Sequence, residues 1–294
     1  MMKYRKMPRT ELSLSEIGFG LSKLHLVTDS KEQTRILAKA VENGMNFFDF
    51  CGIELGVFRS FSDILRENRD KIFTQMHFGA VYKEETYGRS RNFDLVKSSF
   101  EKVLTAAGTD YTDFGMLHCV DEEVEFEEIL NHGILDYVAE LKKQGVVRYI
   151  GVSTHTPKMA QRLMKEGVID MFMFSINPAF DYSIGEWAGG SYDERRDLYR
   201  DAEQKGYGIT VMKTYAGGQL LRPETTPIGV TLTNYQCIRY ALDCPGVVSC
   251  FPGISNMAEL EHLFDYYKAS NEETSYTILK DAAPTDAKGR CAYC

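Results

Sequence analysis

The chain has 294 residues, 44% of them hydrophobic and 26% charged, an ordinary globular composition with enough apolar mass for a large core. A formal charge of −8 without a clustered Lys/Arg stripe excludes a general nucleic-acid binder, whose phosphate contacts need such a stripe. No stretch approaches the ~18 apolar residues of a membrane span and the N-terminus lacks a continuous apolar run, so a cytoplasmic protein with neither membrane nor nucleic-acid partner is expected.

Taken in chain order, "KYRKMPRTELSLS" alternates polar and apolar residues around "PRTE" and predicts a small hairpin, placed to close the bottom of whatever follows. Short apolar runs then alternate with segments of helical period. The runs are "EIGFG" (16–20), "MNFFDF" (45–50), "KIFTQMHFG" (71–79), "YTDFGMLH" (111–118), "VVRYIGVS" (146–153), "DMFMFSIN" (170–177), "YGITVMK" (207–213) and "GVVSCFPG" (246–253). Helices are expected over 31–44, 92–108, 134–145, 157–167 and 195–206, each ending at a glycine suited to a left-handed stop. The acidic run "DEEVEFEE" (121–128) reads as a solvated helix start, where carboxylates suit the positive end of the dipole. Cys51, Cys119, Cys237, Cys244 and Cys250 lie in or beside apolar segments without framework spacing, as reduced, buried thiols do.

Eight strand-to-helix alternations without a linker predict one (β/α)8 TIM barrel with a short N-terminal β-hairpin, over residues 1–280, and a C-terminal tail over 281–294. The competing fold is a doubly wound open sheet. Its first strand is usually followed by a Gly-rich phosphate loop, a pattern that "GFGLSKL" (18–24) does not complete.

Chemistry in such a barrel sits at the C-terminal ends of the strands. The polar residues that end the apolar runs are Asp49, His77, His118, Ser153, Asn177 and Lys213, with "FPGISN" (251–256) after the last strand. Residues far apart in the chain should therefore converge at one rim, where several buried ionisable groups signal a site.

These segments, above all "AVENGMNFFDF", "RDKIFTQMHFG", "GTDYTDFGMLH", "LKKQGVVRYIGVST" and "GITVMKTYAGGQLL", resemble the aldo-keto reductase superfamily across essentially the whole chain. The resemblance implies a barrel that binds NAD or NADP at its mouth and moves a hydride to or from a small carbonyl or hydroxyl compound. It also implies a catalytic Asp, Tyr, Lys and His. Carried over position by position, the Asp is Asp49 and the His is His118, but the Tyr position holds Glu54 and the Lys position holds His77.

That departure moves the expected general acid to His77 or Glu54. Imidazole titrates near neutrality, whereas a carboxyl donates only if its pKa is raised. A second reading takes Asp49, Glu54, His77 and His118 as ligands of a metal in a lyase, epimerase or hydrolase. A third is a non-catalytic binding protein on the same barrel.

For the dinucleotide, the resemblance implies Ser153 at the nicotinamide amide and Lys213, Gly217 and Gly218 at the pyrophosphate. Gly253, Ser255 and Asn256 fall at the adenosine phosphate. Thr154, Met173 and Met212 depart from the usual Asn, Gln and stacking ring, and Glu259 stands where a 2′-phosphate would need Arg, which favours NAD. Trp187, in the long segment 180–194, is a candidate substrate wall. The closing "GRCAYC" holds Cys291 and Cys294 as C-x-x-C. One subgroup of the superfamily continues from such a start into a ferredoxin-like tail with a [4Fe–4S] cluster, and a redox partner is expected if that tail is present.

Overall fold

A computed structural model describes residues 1–282; Cys291 and Cys294, and with them the expected start of an iron–sulfur tail, lie outside the described residues. The N-terminal hairpin forms as expected from β1 (Tyr4–Lys6) and β2 (Ser13–Ser15), antiparallel with Tyr4 opposite Ser15. Next come β3 (Phe19–Gly20), β4 (Phe47–Phe50) and β5 (Phe73–Phe78), then a two-stranded ribbon, β6 (Ala80–Lys83) and β7 (Thr86–Arg89). The remaining strands are β8 (Thr112–Leu117), β9 (Val147–Thr154), β10 (Met171–Ser175), β11 (Gly208–Met212) and β12 (Val247–Cys250).

β3, β4, β5 and β8 to β12 are hydrogen-bonded neighbours in that order, all parallel. Parallel bridges Ile17–Cys250 and Gly20–Gly253 bring the last strand back to the first, with Gly18 N–H donating to Cys250 O and Cys250 N–H to Glu16 O. The sheet thus curls into a barrel, with helices between successive strands on its outside.

Strand alternation divides the apolar residues into two cores. Phe47, Phe114, Met116, Met171, Met173 and Val248 fill the barrel interior, while outward neighbours such as Phe48, Leu117 and Phe172 pack under the helices. The same alternation sets the site. Continuing Phe47, Phe73 and Phe114–Met116 upward by steps of two reaches Asp49, Gln75 and His77, and His118. The hairpin closes the opposite end: Met7, Leu12 and Leu14 join the interior core. A Cβ on Gly208 would lie 2.2 Å from Met7 Sδ, so a larger residue there would push Met7 aside. Arg5 ties the hairpin down by donating to Leu242 O (2.7 Å) and Val247 O (2.9 Å).

The helices Ser30–Glu42, Phe93–Ala107, Ile134–Lys143, Pro157–Glu166 and Tyr192–Lys205 form where the period predicts them. The acidic run caps a further helix, Glu123–Asn131, in which Glu122 and Glu125 form a capping box. Among the described residues no helix is long and apolar enough to cross a membrane.

Candidate active site

Three of the four residues read as catalytic meet above the interior core. Asp49, His77 and His118 are 6%, 4% and 4% exposed, in a place where a charge must find a partner. His77 Nε2 lies 2.8 Å from Asp49 Oδ1, and the same oxygen accepts from Gln75 Nε2 at 2.9 Å. His118 Nδ1 is 3.0 Å from His77 Nδ1, with the rings nearly perpendicular (89°). The far nitrogen of His118, Nε2, is 2.7 Å from the hydroxyl of Tyr87.

Elimination orients this chain. An ionised carboxylate only accepts, so His77 donates from Nε2. With both rings neutral, His77 Nδ1 is then an acceptor for His118 Nδ1–H, and His118 Nε2 in turn accepts from the Tyr87 hydroxyl. All hydrogen bonds run one way, from Tyr87 to Asp49. Burial, followed by the neighbouring His77, Arg91 and Arg89, holds the His118 pKa well below the usual imidazole range. Burial first, then Cys51 and Cys119, raises that of Tyr87, which keeps its proton.

Glu54 is not in this cluster. It is exposed and stands as the residue before the helix Leu55–Glu67, making no side-chain capping bond there. The reason is local: the chain leaves β4 through Cys51 and Gly52, and the segment at 53–54 pairs with the ribbon, Tyr87 N–H donating to Ile53 O (2.9 Å) and Glu54 bridging to Thr86. Expecting Glu54 as acid or ligand is therefore corrected.

The metal reading loses its fourth ligand in the same way. Among the described residues, the grouping able to hold an ion is Cys51, His77 and His118, whose donor atoms lie within 4.8 Å of one another. The two histidines of this grouping are themselves hydrogen-bonded through their Nδ1 atoms.

Cys51 and Cys119 are free thiols on residues of intermediate exposure, whereas Cys237, Cys244 and Cys250 are buried. Removal from water raises both thiols, with Asp49 adding to the effect on Cys51 and Asp121 to that on Cys119. Asp121, read as a solvated helix-start acid, is folded under the rim. It accepts from Thr154 Oγ1 (3.0 Å), His155 N–H (2.6 Å) and His155 Nδ1 (2.9 Å). Burial opposes its ionisation, but the bonds and charge of His155 outweigh that and hold the carboxyl below its usual range.

The residues that the resemblance assigns to a dinucleotide lie at or after the C-terminal ends of β9, β11 and β12. Ser153, next to last in β9, is buried, its Oγ accepting from Cys119 N–H (2.8 Å). Lys213 follows β11 in a left-handed conformation (φ 59°), with Nζ 4.2 Å from the centre of the Trp187 ring. Loss of water lowers its pKa, against the pull of Cys119 and Asp121. Trp187 also lies 4.7 Å from the His155 ring and remains 39% exposed.

Beyond Lys213, Thr214 Oγ1 is buried without a partner. Gly217 (φ 71°) and Gly218 (φ 96°) turn with open space where a Cβ would be. An orphaned hydroxyl, an ammonium and an open left-handed turn in one loop suit a phosphate, so the residues fit the group the fold implies.

At the last loop, Gly253 is covered by Lys23, whose Cδ would be 2.6 Å from an added Cβ. Asn256 caps the helix Met257–Asp265 by accepting from Glu259 N–H (2.9 Å), and the Glu259 carboxylate accepts from Ser255 N–H (2.7 Å) and Oγ (2.8 Å).

Tyr87 and Gln75 escaped the sequence reading. Gln75 carried a signal, since it precedes His77 by two on the same face of β5. Tyr87 carried almost none: its ribbon turns through Glu84 (φ 45°) and Glu85 (φ 71°), a two-residue loop with both central residues left-handed. Such turns ordinarily advertise themselves as Asn-Gly or Asp-Gly.

Similarity to known proteins agrees with this architecture. YqkF of Bacillus subtilis (strain 168), described as an uncharacterized oxidoreductase, is 28% identical over 282 residues, covering 88% of this chain and 89% of the relative. YrpG of the same organism, with the same description, is 22% identical over 232 residues, covering 74% and 68%. Among solved structures, the holo form of aldo-keto reductase AKR11C1 from Bacillus halodurans superposes with a TM-score of 0.77 at 20% identity, covering 97% of each chain. Residues 16–234 match the profile described as the aldo/keto reductase family, and with that share of the sequence matched the chain belongs to this family.

Proposed function

We propose that the protein is an oxidoreductase linked to a nicotinamide dinucleotide, acting on a small carbonyl or hydroxyl compound at the barrel mouth, with the proton of the reaction carried by His118 and His77 and its charge balanced by Asp49. The observation that carries this reading is the one-way hydrogen-bond chain ending on a buried carboxylate. When bound, the dinucleotide supplies or takes the hydride.

The chain's own residues handle the proton. In the oxidising direction, His118 Nε2 accepts a proton from the mouth, His118 Nδ1–H passes to His77 Nδ1, and His77 becomes an imidazolium paired with Asp49. In the reducing direction the same shifts run backwards. Asp49 thereby does for His77 what a carboxylate does for any relay histidine: it fixes which nitrogen carries the proton and stabilises the charge when it arrives.

Ser153 would hold the carboxamide, Lys213, Thr214 and the Gly217–Gly218 turn the pyrophosphate, and Ser255 and Asn256 the adenosine end. Glu259 favours NAD(H) over NADP(H), because its charge opposes a 2′-phosphate. Trp187, the chain's single tryptophan, stacks beside Lys213 and so reports occupancy directly. Titration of its emission with NADH and NADPH is expected to quench it, with NADH the tighter ligand. No response to either at millimolar concentration would remove the reading.

A further inference from the structure

We propose that Tyr87 is the catalytic hydroxyl of this site, delivered by the β6–β7 ribbon to the place left open by Glu54, and that it exchanges the proton with the substrate oxygen. The proposal rests on the dinucleotide-linked reading above.

Three independent features of the geometry carry it. The first is the end of the relay: His118 Nε2 has the Tyr87 hydroxyl at 2.7 Å, a shorter contact than its other neighbour, Cys119 Sγ, at 3.5 Å. A relay that stopped at His118 would have its outermost nitrogen covered by this hydroxyl, so a proton entering or leaving must pass through it.

The second is how the ribbon is attached. Tyr87 N–H donates to Ile53 O and Thr86 bridges to Glu54, so the ribbon lies along the backbone of residues 53–54. Tyr87 therefore hangs beside the backbone position where the resemblance expects a tyrosine, although it comes from another part of the chain.

The third is the division of labour between the ribbon's two tyrosines, which face each other in register. Tyr82 is buried, its hydroxyl donating to Gly52 O (3.2 Å) and its ring edge-on to Phe58. It anchors the ribbon to the loop after β4. Tyr87 is only half-buried, has no such backbone acceptor, and keeps its hydroxyl at the mouth.

The proton balance closes. In reduction, the carbonyl carbon receives the hydride and its oxygen receives the Tyr87 hydroxyl proton. Tyr87 recovers a proton from His118 Nε2–H, His118 Nδ1 takes one from His77 Nδ1–H, and His77 passes from imidazolium to neutral imidazole still bonded to Asp49. In oxidation, the alcohol proton follows the reverse course to His77. One proton moves in each direction, and Tyr87 begins and ends as the neutral phenol.

The test compares Tyr87→Phe, which keeps the ring and the ribbon, with wild type. Single-turnover reduction of 4-nitrobenzaldehyde and of a vicinal diketone by NADH is followed beside Trp187 emission on NADH titration. The expected result is a fall in kcat of at least about a hundredfold, the scale of general acid catalysis, with NADH affinity and melting temperature unchanged. The solvent deuterium isotope effect on the remaining rate should also change, which a mere prop for His118 would not produce. Intact NADH binding with kcat within about threefold of wild type would overturn the role of Tyr87 alone. Wild-type protein that binds no dinucleotide, or binds it and turns over neither carbonyl, would overturn the underlying reading and Tyr87 with it.

Discussion

Replacing Asp49 by Asn probes the relay at the end remote from substrate. Asp49 Oδ1 is 2.8 Å from His77 Nε2, and both side chains are almost entirely buried, so little water is available to screen the pair. While His77 is neutral, the change removes one charge-assisted hydrogen bond and leaves no charge unpaired. Once His77 carries the transferred proton, the imidazolium faces an amide instead of a carboxylate. Breaking a buried charge pair costs about 3–5 kcal/mol, which at 1.36 kcal/mol per decade places kcat roughly 10²- to 10⁴-fold lower.

The ground-state geometry and NADH affinity should be little altered, so the loss falls on kcat. The measurement is stopped-flow oxidation of NADH by excess 4-nitrobenzaldehyde, paired with nitrogen-15 NMR of the histidine side chains. In wild type His77 should carry its proton on Nε2, and in Asp49→Asn that preference should weaken or reverse. A kcat within about threefold of wild type, or a wild-type His77 protonated on Nδ1 alone, would refute the relay.

Three further outcomes are expected. Because the His118 pKa is depressed in the folded chain, the unfolded chain binds more protons below the ordinary imidazole pKa of about 6.5, so this group's contribution is full above that pH and declines on acidification toward the folded pKa. Urea melts between about pH 5 and 7.5 should therefore show a steeper acid-side loss for wild type than for His118→Gln, and equal slopes would contradict it.

Asp181 accepts from Arg195 Nε (2.8 Å), Tyr199 (2.6 Å) and Tyr240 (2.7 Å) in a fully buried knot under β10 and β11. Asp181→Ala should cost about 3–5 kcal/mol and lower Tm by roughly 6–10 °C in a thermal melt, with a change under about 2 °C counting against it. Glu259→Arg should tighten NADPH relative to NADH by about tenfold or more, the value of a charged hydrogen bond, in the Trp187 titration. Unchanged preference would mean that the 2′-phosphate lies elsewhere.

Much of this arrangement could be read before any coordinates. Short apolar runs ending in Asp49, His77 and His118 mark barrel strands, and because inward and outward residues alternate along a strand, its last inward residue faces the mouth. Glycines 108 and 206 mark helix ends because their left-handed conformations (φ 68° and 69°) are costly with a Cβ. What could not be read is whatever depends on a backbone turning unexpectedly. Glu54 keeps its sequence position relative to Asp49, but the loop through Gly52 rotates it into solvent. Tyr87 enters on a ribbon whose Glu84–Glu85 turn looks like a helix fragment. Asp121 looks like one more surface acid because nothing local reveals that β9 ends in Thr154 and His155 beneath it.

The N-terminal plug has a temporal consequence. Arg5 bonds to the carbonyls of Leu242 and Val247, and Met7 seats against Gly208, so Arg5 waits for a partner made 237 residues after it. Contacts across such long separations slow folding, because the chain must surrender its freedom before it gains them. Until that seal forms, the Phe and Met side chains of the barrel floor stay open to water from below, and a nascent chain held at this stage would be the form most prone to sticking to its neighbours.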